Sequence, residues 1–592
     1  MMKRFFTVML GSLAAIWISV GLLMLLGIVW LTAMVAGVVK ESRPSKVEPN
    51  SVLYINLATT VAELNTNADL RGLLEGADED VLLLQPAIEA INHAVNDHNI
   101  RGLFIEAGPV SGGVAALRSL REAVEHFAAQ SGKWTIAYGE QITQGSYYVA
   151  SAADKIYLNP QGMIDIHGLS TQVMFYKGLL DKLGVDIQVL KVGTFKSAVE
   201  PYILTEISEA NRLQIQEYMN PIWADMTNAM SQSRNISVDE LNLLADSILM
   251  TKSATELREA NLIDGTFYAH EMREELAGRV GVDDPDDLQL VDIADYYESV
   301  KGHLNSRSKN KIAVLYAVGE ITEQGPGGIA SETLVPRIEE LAADDEIVGM
   351  VLRVNSPGGS AYASEQIWEA LQQFKKKGKT LYVSMGDLAA SGGYYISCGA
   401  DKIYASPVTL TGSIGIFGLV PDVKGLLTDK LGVTVGTVST NANGAFPSVL
   451  EPMTPFQREQ MQRMINRGYE TFVGRCAEGR HVSVDSIKAI AEGRVWAGVT
   501  ALNIGLVDEL GTLDDAVAAL ASQLNLDKYE VVVYPKFKSN IWDVLASMGS
   551  SVGEVAMRKI MGPEAYEIYR RARKLETMEP VQCLMDPVEL TL

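Results

Sequence analysis

Hydrophobic and polar positions divide the chain into three stretches of different character. From Phe5 to Val39 no charged residue occurs. About 20 apolar residues suffice to cross a bilayer, so this run predicts a membrane-spanning helix. It exceeds the roughly 7–15-residue core of a cleaved signal and reads as an uncleaved anchor. Beyond it, short apolar runs alternate with amphipathic ones. Ile312–Val318, Ile347–Val354 and Thr380–Met385 have the pattern of buried strands, whereas Thr333–Ala343, Ala363–Lys377 and Gln457–Cys476 carry helical spacing. Ile367, Leu371 and Phe374 share one helix face, and Gly392–Gly399 has the start of another helix. Leu103–Glu106 and Trp134–Tyr138 set the same rhythm earlier. Strands alternating with helices predict an α/β fold with parallel βαβ units and ligand loops at the strand C-terminal ends. From Lys536 the rhythm stops; Trp542–Ala556 and Glu564–Leu575 have helical patterns that suggest a packing or oligomer role.

The α/β pattern is written twice. Ala153–Tyr157 (ADKIY) returns as Ala400–Tyr404, an offset of 247 residues. Tyr147-Tyr148 matches Tyr394-Tyr395, Asp181–Val185 matches Asp429–Val433, and Ser237–Asp239 matches Ser483–Asp485. A repeat this long is a duplicated domain, since solenoid periods run at about 20–50 residues. The predicted organisation is a cytoplasmic tail, anchor and linker over 1–46, a first unit over 51–299, a polar linker over 300–311, a second unit over 312–535 and a tail over 536–592.

The net charge of −23 argues against a nucleic-acid partner, which needs a basic footprint. Lys3 and Arg4 precede the apolar run and favour a cytoplasmic N-terminus with the body exported, although Lys40, Arg43 and Lys46 flank its other side. The cysteines, Cys398, Cys476 and Cys583, form no CxxC pair and the histidines do not cluster near them, which argues against a zinc or redox site and allows one disulfide or none.

Two glycine-rich turns follow strands of the second unit: Asn355–Gly359 (NSPGG) and Ala389–Gly393 (AASGG). A serine between strand and helix, as at Ser391, is placed for nucleophilic attack. Gly392, with Gly358 or Gly359, could offer backbone N–H groups to an oxyanion, each typically worth about 2.7–4 kcal/mol. Ordinary tight turns would have the same composition. A histidine base is poorly supported: of seven histidines only His481 lies in the second unit, where it reads as a helix cap. Lysine is an alternative base in serine hydrolases.

Val354–Gly359 (VNSPGG), Met385–Gly393 (MGDLAASGG) and Thr411–Gly418 (TGSIGIFG), together with Val192–Pro201 (VGTFKSAVEP), resemble the signature blocks of the long, duplicated form of peptidase family S49, the signal peptide peptidases. The resemblance runs over essentially the whole chain. It implies two tandem ClpP/crotonase-like domains behind a membrane anchor in a bacterial inner membrane, with the catalytic domains on the periplasmic side. It implies a serine endopeptidase with a Ser–Lys dyad that degrades cleaved signal peptides and other apolar peptides, acting as a homotetramer without metal or cofactor. By position, Ser391 matches the nucleophile, Lys196 the general base, Ser413 the serine that orients the lysine, and Gly358, Gly359 and Gly392 the oxyanion region. Such a lysine must work as a free amine, its pKa lowered to roughly 7–8 by burial.

The repeat bears on that expectation. Ser391 maps onto Gln144 in the first unit, and Lys196 maps near Asn443 in a stretch without lysine between Lys430 and Lys488. Each copy keeps one half of the dyad, so the site is expected where a first unit meets a second, within or between chains. Two other readings remain at this point: a crotonase-type acyl-CoA enzyme on the same scaffold, and a non-catalytic membrane assembly protein.

Overall fold

Two parallel sheets with one strand order repeat the duplication in three dimensions. The computed structural model describes residues 47–64, 81–304, 307–325, 328–535 and 581–585, and the isolated Met24. The predicted anchor and the two helical patterns of the tail lie outside the described residues. Among the described residues no helix is long and apolar enough to cross a membrane.

In the first unit the strands run in the order Gly265–Thr266, Lys155–Ile164, Trp134–Ile142, Ile100–Ala107, Ser51–Asn56 and Leu290–Asp292. In the second, the corresponding series is Glu509–Leu510, Lys402–Ala405, Thr380–Ala390, Ile347–Ser356, Lys311–Val318 and Glu530–Tyr534. Within each series the pairs are parallel, and the central strands are buried on both faces, which accounts for their continuous aliphatic character. The copies also share internal hydrogen bonds. Asp154 accepts from Thr135 N–H at 2.9 Å as Asp401 accepts from Leu381 N–H at 2.9 Å. The Tyr147 hydroxyl donates to Leu262 O at 2.8 Å as Tyr394 donates to Leu506 O at 2.9 Å. These bonds explain why the ADKIY and Tyr-Tyr motifs recur.

The helices form where the pattern predicts them, a few residues longer: Ser331–Ala343, Ala361–Lys376 and Pro455–Gly479. Ser360 caps the second of these by accepting from Ala363 N–H, and Thr454 closes the third with a capping box. Two sequence expectations change. The serine strand does not stop at Met385 but runs to Ala390, because Leu388–Ala390 pair with Leu410–Gly412 on the side away from Ile347–Ser356. The NSPGG segment is not merely a turn, since Gly358–Ser360 is itself a short strand.

That short strand belongs to a third sheet, which joins the units. Its order is Ile329–Ala330, Ile321–Thr322, Gly358–Ser360, Gln582–Leu584, Phe417–Asp422 and Asp186–Lys191. Asp186–Lys191 comes from the first unit and pairs antiparallel along its full length with Phe417–Asp422 of the second. The apolar cores also merge: Ala390, Leu410, Val495 and Ala497 pack into the first unit's cluster. Beside them, buried Arg353 donates to Glu63 and to Ser384 Oγ at 2.8 Å, closing a polar seam.

Candidate active site

Ser391 ends the strand Thr380–Ala390 and precedes the helix Gly392–Ser397, with φ 56° and ψ −114°. A non-glycine residue in such a region carries strain of about 1–3 kcal/mol that the surroundings must hold. They do so on both sides: Ser391 N–H donates to Gly412 O at 2.8 Å, and Tyr395 N–H donates to Ser391 O at 2.8 Å. The side chain is fully buried.

Lys196 reaches this serine from the other unit of the same chain. It lies just beyond the strand Asp186–Lys191, which the junction sheet carries to the second unit. Its Nζ stands 2.8 Å from Ser391 Oγ, 3.0 Å from Ser413 Oγ and 3.1 Å from Ser413 O. A neutral amine has two N–H donors and one lone pair, so two bonds to Ser413 leave the lone pair for the Ser391 hydroxyl proton. The side chain is 1 % exposed, and burial lowers its pKa from 10.5 to about 7, slightly opposed by the neighbouring Cys583 thiol. Ser413 is held in a left-handed conformation (φ 50°) by donation of its N–H to Arg494 O at 2.7 Å.

The chain is similar to known proteins. The family model "Peptidase family S49" matches residues 128–283 and 373–527, and the Clp protease model matches 314–409. "Protease 4" of Salmonella typhi is 36% identical over 507 residues, 83% of this chain and 80% of that protein. "Protease 4" of Haemophilus influenzae is 35% identical over 72% of this chain and 71% of its own length. "Serine protease SPPA, chloroplastic" of Arabidopsis thaliana is 28% identical over 78% and 69%. A solved chain, the ClpP1 N165D mutant from Listeria monocytogenes, is 17% identical, covers 34% of this chain and 94% of its own, and gives a TM-score of 0.24. The chain belongs to peptidase family S49.

It is thus a serine peptidase built as two S49 units, and the pieces around Ser391 and Lys196 differ between them. In the first unit Gln144 stands where the second has Ser391. Its buried amide oxygen accepts from His167 N–H at 3.0 Å and Gly168 N–H at 2.9 Å, and its nitrogen donates to Gly168 O at 3.0 Å. The first copy's site is filled and satisfied. Asn443, nearest the lysine position of the second copy, lies in an exposed loop and bonds Gln457 at 3.0 Å. His481 is exposed, just past the helix Pro455–Gly479, where its N–H donates to Glu478 O.

Of the three expected oxyanion glycines, Gly358 differs from the other two. Its N–H donates to Ser356 Oγ at 3.1 Å, so its contribution is space rather than a donor: a Cβ there would overlap the Cys583 carbonyl. Gly359 and Gly392 line the same carbonyl.

Several site residues carry no signal in the local sequence. Gly493 has φ +80°, and a Cβ on it would lie 2.8 Å from Lys196 Cα, so the lysine loop rests directly on this backbone. Phe195 N–H donates to Glu492 O at 2.9 Å, and Gln214 bridges Phe195 O, Ser197 Oγ and Val495 N–H at 3.1–3.3 Å. Asp387 is half-buried at the junction and accepts from Ala116 N–H at 3.0 Å at the start of a first-unit helix. These residues act across more than a hundred positions of chain, which no local motif records.

Proposed function

We propose that Ser391 and Lys196 are the catalytic dyad of an endopeptidase that degrades extended apolar peptides, cleaved signal peptides among them. The observation that carries this is the 2.8 Å approach of a buried, weakly basic lysine amine to a strained serine hydroxyl. Ser391 Oγ attacks the peptide carbonyl while Lys196 takes its proton, and the amine returns that proton to the leaving nitrogen. Ser413 orients the amine through its two bonds. Gly359 and Gly392 N–H groups stabilise the oxyanion, and Gly358 makes room for it. Membership of a peptidase family sets aside the acyl-CoA reading, and a pure scaffold has no use for an amine held beside a strained serine.

The chain is anchored by Phe5–Val39 in a bacterial inner membrane with both units on the periplasmic side; the uncharged run and its basic N-terminal flank support this. It assembles as a homotetramer. Residues 431–451 form an exposed arm that carries Leu431, Val433, Val438 and Val449 into solvent, and such a row of apolar side chains suits a subunit interface.

Casein and a synthetic signal peptide test the reading. Ser391→Ala and His481→Ala are compared with the wild type in detergent. Ser391→Ala is expected to lose hydrolysis by at least about 10³-fold, with His481→Ala near wild type. Loss in His481→Ala with activity kept in Ser391→Ala would overturn the dyad.

A further inference from the structure

One short segment of the second unit supports Lys196, Ser413 and Ser391 together. It turns through two left-handed residues, Glu492 (φ 55°) and Gly493 (φ 80°), into the strand Val495–Ala497. Glu492 O accepts from the N–H of Phe195, the residue before Lys196, at 2.9 Å. Arg494 O accepts from Ser413 N–H at 2.7 Å. Val495 lies opposite Gly412, whose carbonyl accepts from Ser391 N–H at 2.8 Å. Three groups that are far apart in the chain thus rest on one stretch of backbone.

That backbone belongs to the second unit, whereas Lys196 enters from the first. The Arg494 side chain spans the gap. Its guanidinium carbon stands over the Phe195 ring, 4.6 Å from the centroid, and over the Trp496 ring, 4.4 Å from the centroid. Trp496 is fixed in turn by donation of its Nε1–H to Ile490 O at 3.1 Å. The guanidinium also pairs with Glu217 on the first-unit helix Glu209–Arg234, the helix that supplies Gln214 to the lysine loop. A guanidinium is planar and always charged, so stacking on an aromatic face fixes the tilt of the ring as well as its distance. Phe195 held in this way fixes the backbone from which Lys196 leaves.

We propose that Arg494 is a positioning residue of the reaction: its side chain, stacked on Phe195 and Trp496, sets the entry of Lys196, while its carbonyl sets Ser413. This rests on the Ser391–Lys196 reading. Arg494 touches no reacting atom and acts through Phe195 and Ser413 alone. Its loss leaves the strand Val495–Ala497 paired with Leu410–Gly412, so the nucleophile stays in place while the lysine loop loosens. A loosened loop admits water to the amine, and a hydrated ammonium returns toward its ordinary pKa of 10.5.

A fluorogenic apolar peptide gives kcat, KM and the pH midpoint of kcat/KM for the full chain in detergent. The wild type is compared with Arg494→Lys, Phe195→Leu and the double variant. Arg494→Lys keeps the charge and a partner for Glu217 but has no planar face. It is expected to lower kcat at least about tenfold, with KM within about threefold of the wild type, and to move the midpoint upward from about 7. Phe195→Leu is expected to do the same, and the double variant to be no slower than the slower single one, because both act through one contact. Wild-type kcat in Arg494→Lys, a lowered kcat with the midpoint unmoved, or effects that multiply in the double variant would each overturn the positioning role and leave the dyad standing. If Arg494→Lys does not fold, Phe195→Leu, which removes the ring under Arg494, decides by the same midpoint. A wild type whose kcat/KM does not rise through pH 7 overturns the dyad reading itself.

Discussion

In the proposed mechanism Lys196 is the residue on which the chemistry turns. Moving a lysine from a pKa of 10.5 to about 7 represents on the order of 5 kcal/mol of preference for the neutral form, supplied by burial. The sign is simple: the folded-state pKa is depressed, so the free amine is gained as pH rises through about 7 and lost below it. Peptide kcat/KM is expected to rise about tenfold per pH unit below that value and to level off above it. A profile flat from pH 5 to 8 would show that Lys196 is not the base. Ser391, Lys196 and Ser413 were legible as candidates in the sequence because each sits in a compact block, and the structure brings their side chains together. The finer role of Gly358 was not, because its N–H is diverted by Ser356, a choice made by backbone conformation alone.

The junction sheet does the assembling at the level of elements. Asp186–Lys191 pairs over its whole length with Phe417–Asp422, and this sets the direction from which the lysine enters. The loop then rests on the turn at Gly493. Gly493→Val is expected to lower kcat by about 10²-fold, since a displacement of roughly 1 Å in a catalytic group has that effect. Gly474→Ala, on an open helix face, serves as the control and leaves kcat unchanged. Equal kcat in the two variants would remove Gly493 from the site. The strands and helices of both units were readable from periodicity because their aliphatic runs are buried between layers. The junction strands Gly358–Ser360 and Gln582–Leu584 were not: three residues carry no period, and their partners lie far along the chain.

The duplication governs the whole molecule. Identical strand order in the two units shows one ancestral fold, and the copies have diverged at complementary places: Gln144 fills the first site, and no lysine enters the second copy from its own chain segment. The sequence places Lys196 and Ser391 in different units and leaves open whether one chain or two brings them together; here both come from one chain, whose units are joined by the seam of Arg353, Glu63 and Asp387. The exposed arm gives the assembly its own test. Val433→Asp with Val438→Asp is expected to convert the proposed tetramer to smaller species in light scattering, and an unchanged mass would place the interface elsewhere. The claim that a lysine from one unit activates a serine of the other is tested most directly by fluorophosphonate labelling. The wild type is expected to label at Ser391, located by peptide mass spectrometry, with Lys196→Ala labelled at least about 10²-fold more slowly while remaining folded. Equal labelling rates in the two proteins, or a label on any residue other than Ser391, would contradict it.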